Sequence, residues 1–469
     1  MNKYKTLLSN TLLISIGTFG SKILVFLMVR FYTGYLTPAD YSTSDLITQT
    51  ANLLFPIISM GITDGVFRFC MDSKEDRRSV ITVGLGAILA GSLLFFAIAP
   101  LLGLFGDFKG YVWLIVLYTI SACLHSLCSQ YIRAIGKTGL FAIQGIINTC
   151  LVILLNILFL AVLGFGITGY VLSVILADGL CTLFLVFKER LWKNITVKPD
   201  LSVLKPMLKY SIPLIPSTVF WWITSVSDRY MVTGIIGSEA NGIYTVSYKL
   251  PTVLTLVSSI FMQAWQFSAV TESENGEKEH TQFFSQVWSS FQAVMFLAGS
   301  AIIAFAKPAI RLLTAKEYYS SWEYVPLLAI AMIFTAFVSF TGTVYIVKKK
   351  SNISFLTALL GAGSNIVLNF LLIPSSLGVQ GAAIATVASY LLVFVVRCFN
   401  VKKYIPFRIM GGYVTVNSII IFLQAAVMVT EVKGWILIEA LCLLTLILIN
   451  FKFLIGFIKK AINSVLKRG

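Results

Sequence analysis

Residues 136–170 read GKTGLFAIQGIINTCLVILLNILFLAVLGFGITGY, and residues 349–383 read KKSNISFLTALLGAGSNIVLNFLLIPSSLGVQGAA. Each holds an apolar run of about 20 residues, the length a helix needs to cross the hydrocarbon of a bilayer. The two stretches align at a separation of 212–213 positions. Lys137 and Lys350 stand 213 positions apart, as do Asn156 and Asn369, while Gly166 and Gly378, and Gly169 and Gly381, are 212 apart. Chance likeness between apolar helices accounts for shared leucines, but matched Asn and Gly positions argue for duplication.

Working outward, apolar runs of similar length predict spans at 8–29, 43–67, 79–102, 110–132, 139–162 and 167–187. Six more fall at 210–233, 242–267, 283–306, 323–346, 352–373 and 379–396, and two at 409–429 and 434–451. The quoted stretches are then the fifth and eleventh helices. A shift of six helices is even, so the two units share one orientation and form parallel repeats about an axis along the membrane normal. Of 469 residues, 57% are hydrophobic and 12% charged, against about 25% charged in a soluble domain. The reading is an all-α polytopic membrane protein of about 14 transmembrane helices. Its expected parts are a six-helix lobe at 1–190, a cytoplasmic linker at 191–209, a second six-helix lobe at 210–400, and helices 13–14 with a basic tail at 401–469.

A formal net charge of +16 suggests nucleic acid until the basic residues are placed. Of the 36 Lys and Arg, 27 fall on the side holding both termini, 6 on the other side and 3 within spans. That asymmetry follows the positive-inside rule, so both termini are expected in the cytoplasm and no nucleic-acid partner is expected. The first apolar run carries Lys22 and lacks an A-x-A cleavage site, so it is read as helix 1 and not as a signal peptide. The seven cysteines lack CxxC spacing and read as small apolar core residues.

An ionisable residue inside a span costs at least about 2.5 kcal/mol on insertion scales, so each requires a partner, a cavity or a function. Lys22 lies about 21 Å into helix 1 and Arg229 about 28 Å into helix 7, at 1.5 Å per residue. Lys249 enters helix 8 near its outer end. Through the repeat, helices 1 and 7 are equivalents, so Lys22 and Arg229 are expected to face one central space. Cations there would attract an anion, and a phosphate or pyrophosphate suits Arg and Lys through charge-assisted hydrogen bonds. The competing reading is internal pairing, with Asp228 beside Arg229 and Asp45 within reach of Lys249. Neighbours at i,i+1 point about 100° apart on a helix, so Asp228 does not simply cap Arg229. Asp64 and Arg68, at i,i+4, are expected to form a structural ion pair. Asp178 and Glu439 are lone acids that either relay protons or bond across helices. His125 reads as a satisfied core residue. Prolines 56, 213, 216, 251 and 326 are expected to interrupt helices.

No catalytic fingerprint is present. The Gly136-Lys137-Thr138 tripeptide is not a P-loop, because Tyr131 stands where the first glycine belongs. There is no HExxH, no metal-ligand cluster and no large outer loop, so an enzyme is not expected, nor a metal or cofactor.

SKILVFLMVRFYTGYLTPADYSTSDL, from Ser21, resembles the first two helices of polysaccharide exporters, whose first outer loop reads like LGPxxYG; Ser42 replaces the glycine here. GITDGVFRF from Gly61, RAIGKTGLF from Arg133, and KYSIPLIPSTVFWWITSVSDRYMVTGIIGSEANGIYTVSYKL from Lys209 agree in order with the same pattern. The chain thus resembles the Wzx-type flippases of the multidrug/oligosaccharidyl-lipid/polysaccharide exporter superfamily. The resemblance implies a V-shaped, two-lobed bundle of twelve helices plus two, in the bacterial inner membrane. It implies translocation of an undecaprenyl-pyrophosphate-linked oligosaccharide for O-antigen, capsule or exopolysaccharide synthesis, alongside a polysaccharide polymerase and chain-length regulator. The family's cationic cavity carries over by position to Lys22, Arg229 and Lys249, and more weakly to Arg30. Asp228, Asp178 and Asp45 are coupling or structural candidates, and H+, Na+ or Cl- is the expected choice of coupling ion. A cation-coupled drug antiporter is the alternative; it would need an acid in helix 1 or a neighbouring cavity helix.

Overall fold

The computed structural model describes residues 20, 24, 26–71, 76–104, 108–271, 277–348, 350–409 and 411–466. Among them there are helices and no strands. The order is α1 (26–35), α2 (Pro38–Ile58), α3 (Ile62–Cys70), α4 (Arg77–Ile98), α5 (Val112–Ala134), α6 (Thr138–Asn156), α7 (Gly166–Lys188), α8 (Leu204–Ser211) and α9 (Ile215–Ile235). It continues with α10 (Ser238–Ser247), α11 (Thr252–Thr271), α12 (Glu277–Ala304), α13 (Ala306–Leu313), α14 (Val325–Val347), α15 (Ser351–Leu372), α16 (Gly378–Val401), α17 (Gly411–Thr430) and α18 (Trp435–Leu466).

Ten helices are long and apolar enough to cross a membrane, and two bent pairs bring the number to 12 among the described residues. These occupy twelve of the fourteen expected spans. The span expected at 8–29 lies mostly outside the described residues, Lys22 with it. The one at 210–233 is α9, whose apolar run is broken by Asp228 and Arg229. The protein is therefore a multi-pass α-helical membrane protein. Its surface agrees: Leu93, Phe96, Phe370 and Leu448 are 69–75% exposed, which lipid tolerates without penalty because its tails are as apolar as the side chains.

Each bend has a local cause. α2 and α3 meet at 54° four residues after Pro56, through Met60 and Gly61, both at positive φ. α10 and α11 meet at 46° around Pro251, which has no N–H to continue the ladder. Pro326 departs from expectation. It sits in the first turn of α14, where the missing N–H is unpaired in any helix, so it starts this one and does not interrupt it.

Two compact units divide the chain, one up to Val226 and one from Ser227. The boundary falls within α9 and not at the linker expected over 191–209. That segment is docked on the first unit: Leu191, Val203 and Met207 are buried with Val66 and Val80. Two of its amides are also bonded, Thr196 N–H to Thr82 Oγ1 and Asp200 N–H to Ser79 Oγ, each at 3.0 Å. A Cβ on Gly65 would come within 2.7 Å of Ser211 Oγ, so α8 lies close against α3. The 401–469 segment is likewise part of the second unit. α17 and α18 pack on α12, and Asn417 donates to Asn450 at 3.1 Å and to Gln292 at 3.4 Å.

The duplication is visible in backbone detail. Gly166 and Gly378 open α7 and α16 at φ +53° and +50°, a left-handed conformation that glycine adopts freely. Gly169 and Gly381 then let each helix pass its predecessor closely. A Cβ would stand 2.9 Å from Phe159 Cβ in the first case and 2.5 Å from the Leu372 carbonyl oxygen in the second. α5, α6 and α7 pack pairwise in the first unit as α14, α15 and α16 do in the second.

The second unit's core is aromatic. Trp288, fully buried, lies 5.0 Å from the Phe337 ring and 5.1 Å from that of Phe340, tying α12 to α14. All seven cysteines are free, five of them buried.

Candidate functional site

In the second unit a carboxylate is built into the middle of four helices. α9 carries Asp228, 1% exposed. α10, the short helix set off by the Pro251 bend, presents Tyr244, and its C-cap residue Tyr248 continues the helical turn, so the i,i+4 spacing puts both phenols on one face. Both donate to Asp228 Oδ2, Tyr244 at 2.8 Å and Tyr248 at 2.6 Å, and the two hydroxyls lie 3.2 Å apart. From α16, Thr386 Oγ1 stands 3.4 Å from Oδ2 and donates at 3.0 Å to the Ala382 carbonyl. The remaining carboxylate oxygen accepts the Arg229 backbone N–H at 2.9 Å.

α15 completes the cluster with two asparagines one turn apart. Asn365 Oδ1 accepts from Ser227 at 3.1 Å and from Asn369 at 2.9 Å, and Asn365 Nδ2 faces Thr386 Oγ1 at 3.5 Å. Asn369 Oδ1, fully buried, takes no hydrogen bond. The result is a carboxylate among neutral oxygens from α9, α15 and α16, with two phenols on the α10 side. Such a set suits a small cation or a proton, because oxygen lone pairs outnumber donors. The Arg229 guanidinium lies over the Tyr248 ring, 4.8 Å from its centroid, so one tyrosine holds both halves of the Asp228-Arg229 dipeptide.

The other expected residues are scattered. Lys249 is half-buried on the turn after α10, and Arg30 is exposed on α1. Asp45 is buried on α2, with Gln49 Nε2 3.5 Å from its Oδ1. Asp178 is part of a satisfied network in the first unit. It accepts from Asn148 Nδ2 at 2.8 Å and faces His125 Nδ1 at 3.1 Å, while His125 Nε2 meets Gln144 Oε1 at 2.7 Å. His125 thus has the satisfied core environment expected of it, on α5 between α6 and α7. The Asp64–Arg68 ion pair is not formed. Both side chains are exposed at opposite ends of the nine-residue α3, where an i,i+4 pair is worth only about 0.3–0.5 kcal/mol and does not hold two long side chains in one geometry.

Sequence reading missed Tyr244, Tyr248, Asn365, Asn369 and Thr386. The signal available was the i,i+4 repetition of polar residues in otherwise apolar helices. The span predicted at 379–396 also left Arg397 just outside the helix. Arg397 is 2% exposed on α16, donating to Thr357 Oγ1 at 2.8 and 3.0 Å and to the Val338 carbonyl at 2.7 Å.

Comparison with known proteins bears on this arrangement. A family model described as "Polysaccharide biosynthesis protein" matches residues 7–266. No curated protein matches the sequence. Among solved structures, a lipid II flippase MurJ in its inward closed conformation is 17% identical, with a TM-score of 0.71, over 96% of this chain and 100% of that one. An inward-facing multidrug resistance MATE transporter of the MOP superfamily is 14% identical, with a TM-score of 0.65, over 82% and 95%. A MOP superfamily transporter from Pyrococcus furiosus is 16% identical, with a TM-score of 0.54, over 84% and 95%. At these identities the likeness is one of fold, and the fold is that of transporters and a flippase.

Proposed function

This chain belongs to the polysaccharide biosynthesis protein family, and from that premise we propose that it is a flippase for an undecaprenyl-pyrophosphate-linked oligosaccharide. The glycan moves from the cytoplasmic to the outer leaflet of a bacterial inner membrane, with both termini of the chain in the cytoplasm, for O-antigen, capsule or exopolysaccharide synthesis. Dragging sugar hydroxyls through hydrocarbon is prohibitive, since each unsatisfied polar group costs several kcal/mol. Alternating access to a polar pathway removes that barrier. In this reading Arg229 and Lys249, both on the second unit, meet the pyrophosphate, and the prenyl tail stays in lipid.

The observation that carries the mechanism is the buried Asp228 cluster. A carboxylate with two phenols on one oxygen and amide and hydroxyl oxygens around it favours H+ or Na+ over Cl- as coupling ion. Cation entry would alter the Tyr248 hydrogen bond and with it the platform under Arg229. That links ion binding to the residue assigned to the pyrophosphate, by one shared side chain. Asp178 and Asp45 are left structural in this scheme.

The same buried carboxylate is the feature a cation-coupled drug antiporter needs, so that reading is carried into the test. Deletion in the native host should remove surface polysaccharide and accumulate lipid-linked glycan in the cytoplasmic leaflet. Unchanged glycan with altered sensitivity to cationic drugs would overturn the flippase reading in favour of the antiporter.

A further inference from the structure

A second buried carboxyl lies away from this cluster, in the helix pair that follows the duplicated units. Glu439 is on the second turn of α18 and is 2% exposed, yet neither of its carboxyl oxygens has a hydrogen bond. It is not alone in that. Gln424 Oε1 on α17 and Ser300 Oγ on α12 are fully buried and equally bare. The three helices are packed together there, with Gln424 Nε2 donating to the Ser300 carbonyl at 3.1 Å.

We propose that Glu439 is a proton-binding site, protonated when α18 is seated against α12 and α17, with its O–H donated to Gln424 Oε1. One proton resolves two orphaned groups, since it removes the buried charge and supplies the donor that Gln424 lacks. The ionised form finds little compensation in this seam beyond the neighbouring Gln424 amide and the field of Lys307. Lys307 is the cation whose field reaches Glu439, but its Nζ is paired with Glu431 and lies 4.1 Å from the centroids of both Trp322 and Trp435. The facing stretches 296–304 of α12 and 417–428 of α17 contain no titratable side chain; on α18 itself the neighbour is Cys442. Ionisation therefore requires water to enter the seam. Proton binding and the seating of α18 are then one equilibrium, and a proton taken up at one membrane face can bias the position of this helix. The site is separate from Asp228 and stands whether or not the transport reading holds.

Infrared difference spectra of the lipid-reconstituted protein, taken across a pH titration, test this directly. Wild type is expected to show a protonated-carboxyl C=O band, titrating with pH, that Glu439→Gln removes and Gln424→Leu shifts in frequency. Thermal stability supplies a second readout. The proton-stabilised wild type should lose melting temperature as pH rises through that titration, while Glu439→Gln, an isosteric mimic of the protonated acid, lacks that component. Identical spectra for wild type and Glu439→Gln would overturn the proposal. So would a Glu439 carboxylate band that responds to sodium or potassium and not to pH.

Discussion

Asp228 and Arg229 are neighbours in the chain, yet the structure joins them through a third residue. The Tyr248 hydroxyl donates to Asp228 Oδ2 at 2.6 Å while the Tyr248 ring lies 4.8 Å from the Arg229 guanidinium carbon. Helix geometry turns consecutive side chains about 100° apart. A tyrosine at the end of the next helix, 20 positions on, can serve both only because its two ends differ, a polar hydroxyl and an aromatic face.

Tyr248→Phe should expose how much of the cluster depends on that contact. The ring and its face remain, and only the shortest donor to the carboxylate is lost. A hydrogen bond to a charged group is worth about 1.5–3 kcal/mol, so the ion dependence of transport should shift by roughly tenfold or more. Transport and its pH or sodium dependence in proteoliposomes are the measurement, with Tyr244→Phe expected to have the smaller effect.

Asp228→Asn keeps the shape and removes the charge. Coupled transport and surface glycan are expected to fall by at least about tenfold, with membrane abundance unchanged. If Asp228→Asn supports normal surface glycan, the coupling role assigned to this residue is wrong. Arg229→Ala tests the second half of the dipeptide: loss of surface glycan with an unaltered ion dependence would separate substrate binding from coupling.

The duplicated glycines make a stability prediction independent of function. At Gly381 an added methyl would meet the Leu372 carbonyl oxygen at 2.5 Å, a backbone atom that cannot turn aside. Gly381→Ala is expected to cost about 1–3 kcal/mol through overpacking. At Gly363 nothing lies within 4 Å, so Gly363→Ala should be neutral or stabilising by up to about 1 kcal/mol through helix propensity. Melting temperatures of the two variants in detergent decide it.

A pH dependence is expected from the start of α4. Asp76 caps that helix, accepting from the Arg78 and Ser79 amides at 3.2 and 3.1 Å and from the Ser79 hydroxyl at 2.9 Å. Those bonds, the hydroxyl foremost, hold its carboxyl below the ordinary range. A depressed carboxyl contributes stability above its unfolded value and loses it as pH falls through the folded one. Asp76→Ala should therefore destabilise near neutral pH by about 0.5–2 kcal/mol, typical of a lost cap, and the difference from wild type should shrink as the solution is acidified.

How much could be read in advance is clear from particular residues. The spans were legible because lipid demands about 20 apolar residues in a row, a constraint that acts locally. Gly166, Gly169, Gly378 and Gly381 announced the duplication because two copies of one turn need the same backbone freedom. Pro251 announced a bend, whereas Pro326 misled, since the same missing N–H either breaks a helix or begins one according to where the helix starts.

The site was legible only in its charges. Asp228 and Arg229 stood out because ionisable groups in hydrocarbon are costly wherever they occur. Tyr244, Tyr248, Asn365, Asn369 and Thr386 did not, because each is unremarkable alone. The side chains that meet Asp228 come from 16, 20 and 158 positions away, and only packing decides which polar side chain meets which. The same holds for Asp64 and Arg68, whose spacing permits a pair that the exposed helix does not keep, and for Glu439, whose isolation is a property of its neighbours. Length, hydropathy and repetition are properties of the chain, and the sequence by itself determined them. Partnership is a property of space, and the tertiary structure alone decided it.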